Sequence, residues 1–197
     1  IQHQEFTSFV FCGSVRSSME DIFTNHDSPF FNMAMRLQLG PLDRDIFIKF
    51  LAVKFMEGGR VPGDALLDKI IDLCGDNPGA VQRFCTALWL ATSTGQIIVE
   101  EDLVKAWERL FAMQAEQYGM ILQGLSNQQY QALRALARFG GKSKVTGEFV
   151  SMTGISLQAS LVKALKGLVE KRVVVKEKTV YKIGDPFLTG WLTSQRL

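Results

Sequence analysis

The sequence of 197 residues has little of what most enzymes and membrane proteins need. Its two histidines and three scattered cysteines offer no zinc-ligand spacing. No G-x-x-x-x-G-K-[ST] loop is present to cradle phosphate, and no G-x-S-x-G or histidine-paired nucleophile is present either. No apolar run approaches the roughly 18–20 residues of a membrane span. We therefore expect this chain to have no catalytic residue, no metal site and no membrane partner.

The composition is that of a globular protein. Hydrophobic residues make up 47% of the chain and charged residues 21%, which suits one ordinary domain or two small ones. The cysteines lie in apolar stretches, so we expect buried thiols in a reducing compartment and a cytoplasmic location. The sequence starts without Met or a signal peptide, and we expect it to be part of a longer chain.

Charge is distributed unevenly along the chain. Residues 1–125 hold 10 Lys/Arg and 16 Asp/Glu (net −6), whereas residues 126–197 hold 12 Lys/Arg and 4 Asp/Glu (net +8). Such a change of sign predicts two modules with different partners. The basic module is suited to nucleic acid or to an acidic protein surface, and the acidic half of the same chain is one such surface.

The first 42 residues combine short apolar runs with one helix. Thr7–Cys12 is β-branched and aromatic, which predicts a buried strand that ends at Gly13. Ser17–Phe23 predicts a short helix, and the alternation in Met33–Leu39 predicts a second extended segment.

Residues 43–122 have helical periodicity throughout. Asp43 is placed to cap a helix that ends at Gly58, and Asp64–Cys74 predicts the next one. Pro78 begins a third helix, and acidic residues from Glu100 begin a fourth that reaches about Leu122. The pattern predicts a small helical bundle.

A new pattern starts at Ser126, where S-N-Q-Q predicts a capping box. Two further helices follow, one near Thr146 and one after Ser156. Arg172–Lys176 and Thr179–Ile183 then predict two strands joined by a tight turn. Three helices followed by a β-hairpin is the winged-helix order, which we assign to residues 126–197.

Four stretches together resemble the STAND class of AAA+-related signal-transduction NTPases, and in particular its archaeal and bacterial ATPase family. They are Phe9–Phe31 with its C-G-S-V-R-S-S-M turn and S-P-F-F segment, Leu37–Leu42 (L-Q-L-G-P-L), Cys74–Gln82 (C-G-D-N-P-G-A-V-Q) and Tyr181–Trp191 with its D-P-F-L-T-G-W tail. The resemblance spans nearly the whole chain, but the P-loop and Walker B parts of the family are lacking.

The resemblance implies a mainly α chain in three parts: a remnant of the α/β nucleotide-binding core (1–42), a helical lid (43–122) and a winged helix (126–197). It implies ATP and Mg²⁺ as cofactors of a larger parent ATPase, with none bound to this chain alone. It also implies that the missing N-terminal core of that parent is the chain's first partner.

Three residues are the nucleotide-facing candidates under this resemblance. Ser14 and Arg16 follow the first predicted strand, where a hydroxyl or guanidinium is placed to sense a γ-phosphate. The alternative is a turn serine that caps the next helix and a solvated arginine. Pro78 begins a helix whose N-terminus faces the nucleotide in the family; Asp76 departs from the usual glycine there, and a plain N-cap at Asp76 or Asn77 is the alternative.

Five lysines are the partner-binding candidates. They lie on the third helix and the wing of the predicted winged helix: Lys163, Lys166, Lys176, Lys178 and Lys182. Three functions remain open for the chain: the lid and winged helix of an ATP-dependent molecular switch, a DNA-binding regulator, or a protein–protein adaptor. Lysine prevails over Asn and Arg on these elements, which favours backbone contact over base reading if DNA is the partner.

Overall fold

The computed structural model describes residues 6–13, 16–37, 40, 42–75 and 77–194. The chain divides into two compact units, Ile1–Gly40 and Pro41–Leu197. The fold is mainly helical, as the sequence predicts, and its strands are short. In the described residues, no helix has the length and apolar character to cross a membrane.

The first unit contains one helix, α1 (Arg16–Thr24), and a small aromatic cluster. Phe23 is buried, and its ring lies 5.2 Å from that of Phe11 and 6.3 Å from that of Phe30. Aromatic pairs at these separations are attractive. They therefore stabilise the first unit, in whose described residues Phe23 is the one buried apolar side chain.

Two predicted strands of this unit are not formed. Thr7–Cys12 has no strand pairing, and Val10 is 86% exposed. Met33–Leu37 is also irregular. The remaining two residues of that prediction, 38 and 39, lie outside the described part of the chain. An apolar run becomes a strand only if a neighbouring strand takes up its hydrogen bonds, and the described residues of the unit provide none. Cys12 is exposed for the same reason, contrary to the expected buried thiol.

The second unit begins with four helices and a two-residue parallel strand pair. The elements are α2 (Arg44–Glu57), β1 (Val61–Pro62), α3 (Asp64–Leu73), α4 (Pro78–Ala91), β2 (Ile97–Ile98) and α5 (Asp102–Gln123). Local capping explains where the helices start. Asp43 accepts a hydrogen bond from the Ile46 amide at 3.0 Å, and Asn77 accepts one from the Ala80 amide at 3.1 Å.

Buried Arg60 connects the strand pair to the end of α4 through hydrogen bonds and a ring contact. Its guanidinium donates to the carbonyl and hydroxyl oxygens of Thr92 at 2.9 and 3.1 Å and stacks on the Trp89 ring at 4.0 Å. A buried cation is tolerated when its donors are satisfied in this way. β1 and β2 escape sequence prediction because two residues are too few to show periodicity.

The rest of the second unit has the winged-helix order. Its elements are α6 (Asn127–Arg138), β3 (Lys142–Ser143), α7 (Gly147–Thr153), α8 (Gln158–Glu170), β4 (Val174–Glu177), β5 (Val180–Ile183) and α9 (Pro186–Ser194). The strands form an antiparallel sheet in the order β3-β5-β4. The capping box at Ser126 is formed as predicted. The tight turn lies at Lys178–Thr179, one residue later than predicted, because Lys178 takes a left-handed conformation (φ 55°).

One hydrophobic core extends from α2 to α9 through the whole second unit. α5 connects the bundle to the winged helix, and α9 returns from the winged helix to the bundle. On α9, Phe187 is fully buried and packs edge-on against Trp107 of α5, with ring centroids 5.3 Å apart, and 6.0 Å from Phe84 of α4. The bundle and the winged helix therefore share side chains at their junction.

Candidate functional site

The first candidate surface is the N-terminus of α4. Pro78 occupies the first turn of the helix, as predicted, and Asn77 caps it. Gly75 precedes it in a left-handed conformation (φ 62°), which glycine adopts without strain. Asn77 is thus the cap in the structure; the other predicted cap, Asp76, lies outside the described residues.

Gly79 leaves this end of α4 open to a ligand. Pro78 and Gly79 are exposed, and a Cβ at Gly79 would meet only the Asn77 side-chain oxygen, at 3.4 Å. Among the described residues no hydrogen bond reaches the Gly79 amide. A helix N-terminus favours an anion through its dipole and its free amides. A phosphate-binding loop provides several such amides, so the Gly79 amide by itself does not make a nucleotide site.

The predicted nucleotide sensor is only partly within the described chain. Ser14 lies outside the described residues, as does the side chain of Arg16, whose backbone begins α1. Their predicted roles stay predictions.

The second candidate surface is the basic side of the winged helix. Lys163 and Lys166 lie three residues apart on α8, so they share one exposed side of that helix. Lys178 lies in the turn at the tip of the wing, and Lys182 is exposed on β5. In the part of the chain that the structure describes, none of these lysines forms an ion pair.

Lys176 differs from the other candidates. It is the cross-strand partner of Tyr181, and its ammonium group lies 5.4 Å from the centroid of the Tyr181 ring. Tyr181 belongs to the core, so Lys176 lies at the margin of the core-facing side of the sheet. A cation held over an aromatic ring has a contact of its own. Lys176 is therefore less available to a partner than Lys178 or Lys182.

Sequence reasoning missed Lys142, which belongs to the same basic side. It lies on β3 directly opposite Lys182, and both are exposed. Directly opposed side chains lie about 5 Å apart at Cβ, and two like charges there destabilise a sheet. An anionic partner would relieve that repulsion. No sequence signal marks β3, because it is only two residues long and follows Gly140-Gly141.

The described residues include two buried thiols and a groove between two helices, but no cluster of metal ligands. No group of three or more His, Cys, Asp or Glu side chains could hold a metal ion in the described part. Burial raises the pKa of the Cys74 and Cys85 thiols to about 12, so both stay protonated and unreactive at neutral pH. The groove of about 450 Å³ between α7 and the start of α8 has walls such as Val150, Ser151 and Ile155, with no titratable group.

In comparisons with known proteins, a family model matches the winged helix and a solved structure has a similar fold. Residues 116–194 match the family described as "Probable winged helix domain". The chain is similar to a solved structure, the Walker-type ATPase PABY2304 of Pyrococcus abyssi, with a TM-score of 0.59 and 21% sequence identity. No curated protein matches.

The match covers 89% of this chain and 49% of the ATPase chain, so this chain spans about half the length of that protein. At 21% identity the likeness shows a shared fold. The chain thus has a winged-helix domain next to a helical bundle, an arrangement also found in a chain described as a Walker-type ATPase.

Proposed function

We propose that the chain is the lid and winged-helix part of an ATP-dependent molecular switch of the STAND type, which relays the nucleotide state of a longer protein to a partner. The observation that carries the proposal is the fold shared with half of a Walker-type ATPase chain. The order of the motifs in the sequence supports the same conclusion.

The single core of the second unit suits this role. A switch that transmits a change at one end needs a part that moves as a rigid body. α5 is continuous over 22 residues, and α9 packs back onto α4 and α5, so the bundle and the winged helix form one packed block. A displacement of the α4 N-terminus would therefore carry the winged helix with it.

ATP and Mg²⁺ belong to the whole switch in this proposal. The open N-terminus of α4 at Pro78 and Gly79 would face the nucleotide from the lid side, and Ser14 and Arg16 would sense its γ-phosphate. The phosphate-binding loop and the Mg²⁺ ligands would come from an α/β core beyond this chain. Bound nucleotide would supply the energy difference between the two states of the lid.

Isothermal titration calorimetry tests whether ATP binding requires the core in addition to the lid. The 197-residue chain should show no micromolar affinity for ATP with Mg²⁺, because the N-terminus of one helix does not replace a phosphate-binding loop. The longer protein should bind ATP. Micromolar, Mg²⁺-dependent binding of ATP to this chain alone would contradict the proposal.

A DNA-binding winged helix is the second candidate function. Lysines on α8 and the wing that form no ion pair with another described residue favour it, with Lys142 and Lys182 opposed on one side of the sheet. α8 carries no Arg or Asn, two of the main base-reading residues, which favours contacts to phosphates over base reading. The expected signature is binding without sequence preference and with a steep salt dependence.

Fluorescence anisotropy with random duplex DNA tests this candidate. Each lost phosphate contact lowers the slope of log K against log salt by about 0.9. The triple variant K176Q/K178Q/K182Q should therefore lower it by about 2, because Lys176 is held over Tyr181 and contributes least.

A matched control separates local contact from net charge. Arg36, Lys49 and Arg109 are exposed and lie outside the winged helix. Replacing all three with Gln removes the same charge as the triple lysine variant. Equal loss in both variants, or negligible DNA affinity of the unmodified chain, would reject DNA binding by the wing and leave a protein partner.

A further inference from the structure

One carboxylate joins the helical bundle to the winged helix by polar contacts. Asp185 lies between β5 and α9, and it receives both terminal nitrogens of Arg83 from α4, at 2.8 and 3.2 Å. The Tyr118 hydroxyl of α5 donates to it at 3.2 Å, and the Phe187 amide of α9 donates at 3.0 Å. Its two oxygens thus accept four hydrogen bonds, from three helices.

The surroundings of Asp185 combine an apolar core with an open edge. Tyr118 is buried, and its ring lies 5.2 Å from the ring of Trp191. The side chains of Arg83 and Asp185 keep 35% and 25% of their exposure. The ion pair therefore lies at the solvent-facing edge of the junction and not inside the core.

Each charge in this contact has the opposite sign to the net charge of the region that carries it. Arg83 is a cation of the acidic region, and Asp185 is the only aspartate in the basic region of residues 126–197. General attraction between the two regions would pair basic side chains of the winged helix with acids of the bundle. The ion pair at the junction instead has the opposite polarity, and its bidentate geometry demands a defined orientation.

The two side chains that donate to Asp185, those of Arg83 and Tyr118, both have raised pKa values. Burial lowers the pKa of Arg83, but its hydrogen bonds with Asp185 and the nearby negative charge outweigh this and raise it overall. Burial, followed by the charge of Asp185, raises the pKa of Tyr118 well above its usual value, so the phenol keeps the proton that it donates. The contact is thus not opened by titration of either donor.

We propose that Asp185 is a releasable latch that holds the winged helix in one orientation on the helical bundle through Arg83 and Tyr118. Loss of the Arg83 contact loosens α9, whose buried side chains still pack against the bundle, and leaves α6, α7 and α8 folded, since the winged helix has its own sheet and core residues. The inference goes beyond the proposed switch, because it concerns only the junction and holds whether or not the chain acts with ATP.

Hydrogen exchange of the 197-residue chain tests the latch. Asp185→Asn keeps the shape and the acceptor for the Phe187 amide but removes the charge that binds Arg83. Arg83→Gln removes the same contact from the other side and leaves Asp185 intact. In each variant we expect amides of α9 (Pro186–Ser194) to exchange about tenfold faster, with amides of α6 and α8 unchanged.

A double-mutant cycle and a matched control complete the test. If the two residues act through one contact, the double variant exchanges no faster than either single one. Glu57→Gln, which removes the carboxylate of the exposed Lys54–Glu57 pair within α2, should leave α9 unchanged. Exchange that rises equally in α6, α8 and α9, or that rises in α9 no more than in the control, would overturn the latch.

Discussion

Replacing Phe187 with alanine should remove much of the stability of the second unit. The ring is fully buried between two helices of the bundle, against Phe84 and Trp107, and the guanidinium of Arg83 lies 5.1 Å from its centroid. The substitution therefore leaves a cavity at the point where the winged helix meets the bundle.

The expected loss follows from burial and from the cavity. Truncation of a buried Phe to Ala costs about 3–5 kcal/mol in the free energy of unfolding, including the cavity term. The lost cation–π contact with Arg83 adds about 0.5 kcal/mol, because Arg83 is partly exposed. A total near 4 kcal/mol is a large share of the roughly 5–15 kcal/mol that stabilises a typical domain.

Urea unfolding measures this loss, with circular dichroism reporting helix and tryptophan fluorescence reporting the junction. Phe50→Ala is the matched control, because Phe50 is 54% exposed on α2 and its truncation should cost less than about 0.5 kcal/mol. A loss below about 1 kcal/mol for Phe187→Ala, or one equal to the control, would refute the claim that α9 anchors the winged helix.

Two further predictions concern other side chains of the chain. The hydrogen bond with Lys105 contributes most to lowering the pKa of buried Asp102. The stability that this carboxylate contributes is therefore present above its unfolded pKa and lost as pH falls through its folded pKa. Below about pH 4 the free energy of unfolding should fall more steeply in the unmodified chain than in Asp102→Asn, and parallel curves would contradict this. A thiol reagent at neutral pH should modify exposed Cys12 within the mixing time of a manual assay and leave Cys74 and Cys85 unmodified until urea is added. Equally fast modification of all three thiols would show that the core is open.

Features that depend on neighbours along the chain could be predicted from the sequence. Asp43 and Ser126 each cap a helix through a side-chain oxygen that accepts an amide hydrogen bond within three residues. Such chemistry is local and can be recognised without a fold. The helical bundle and the helices of the winged helix followed from these caps and from periodicity.

Features that depend on distant partners could not be predicted. Thr7–Cys12 has the composition of a strand, but composition does not supply the partner strand that the segment needs. Lys142 joins the basic side only through its pairing with Lys182, and Asp185 meets Arg83 across 102 residues of sequence. In the sequence, Asp185 was recognisable only as part of a D-P motif. Its role at the junction depends on where α4 lies in the folded chain.

Hydrogen exchange of the longer protein that we propose contains this chain is the most direct test of the switch. The protein would be compared in saturating ADP and in a non-hydrolysable ATP analogue with Mg²⁺. We expect different exchange at the start of α4 (residues 77–80) in the two states, with the Phe187 region unchanged because the bundle and the winged helix move as one body. Identical exchange at the start of α4, with the nucleotide-binding loop protected in both states, would contradict it.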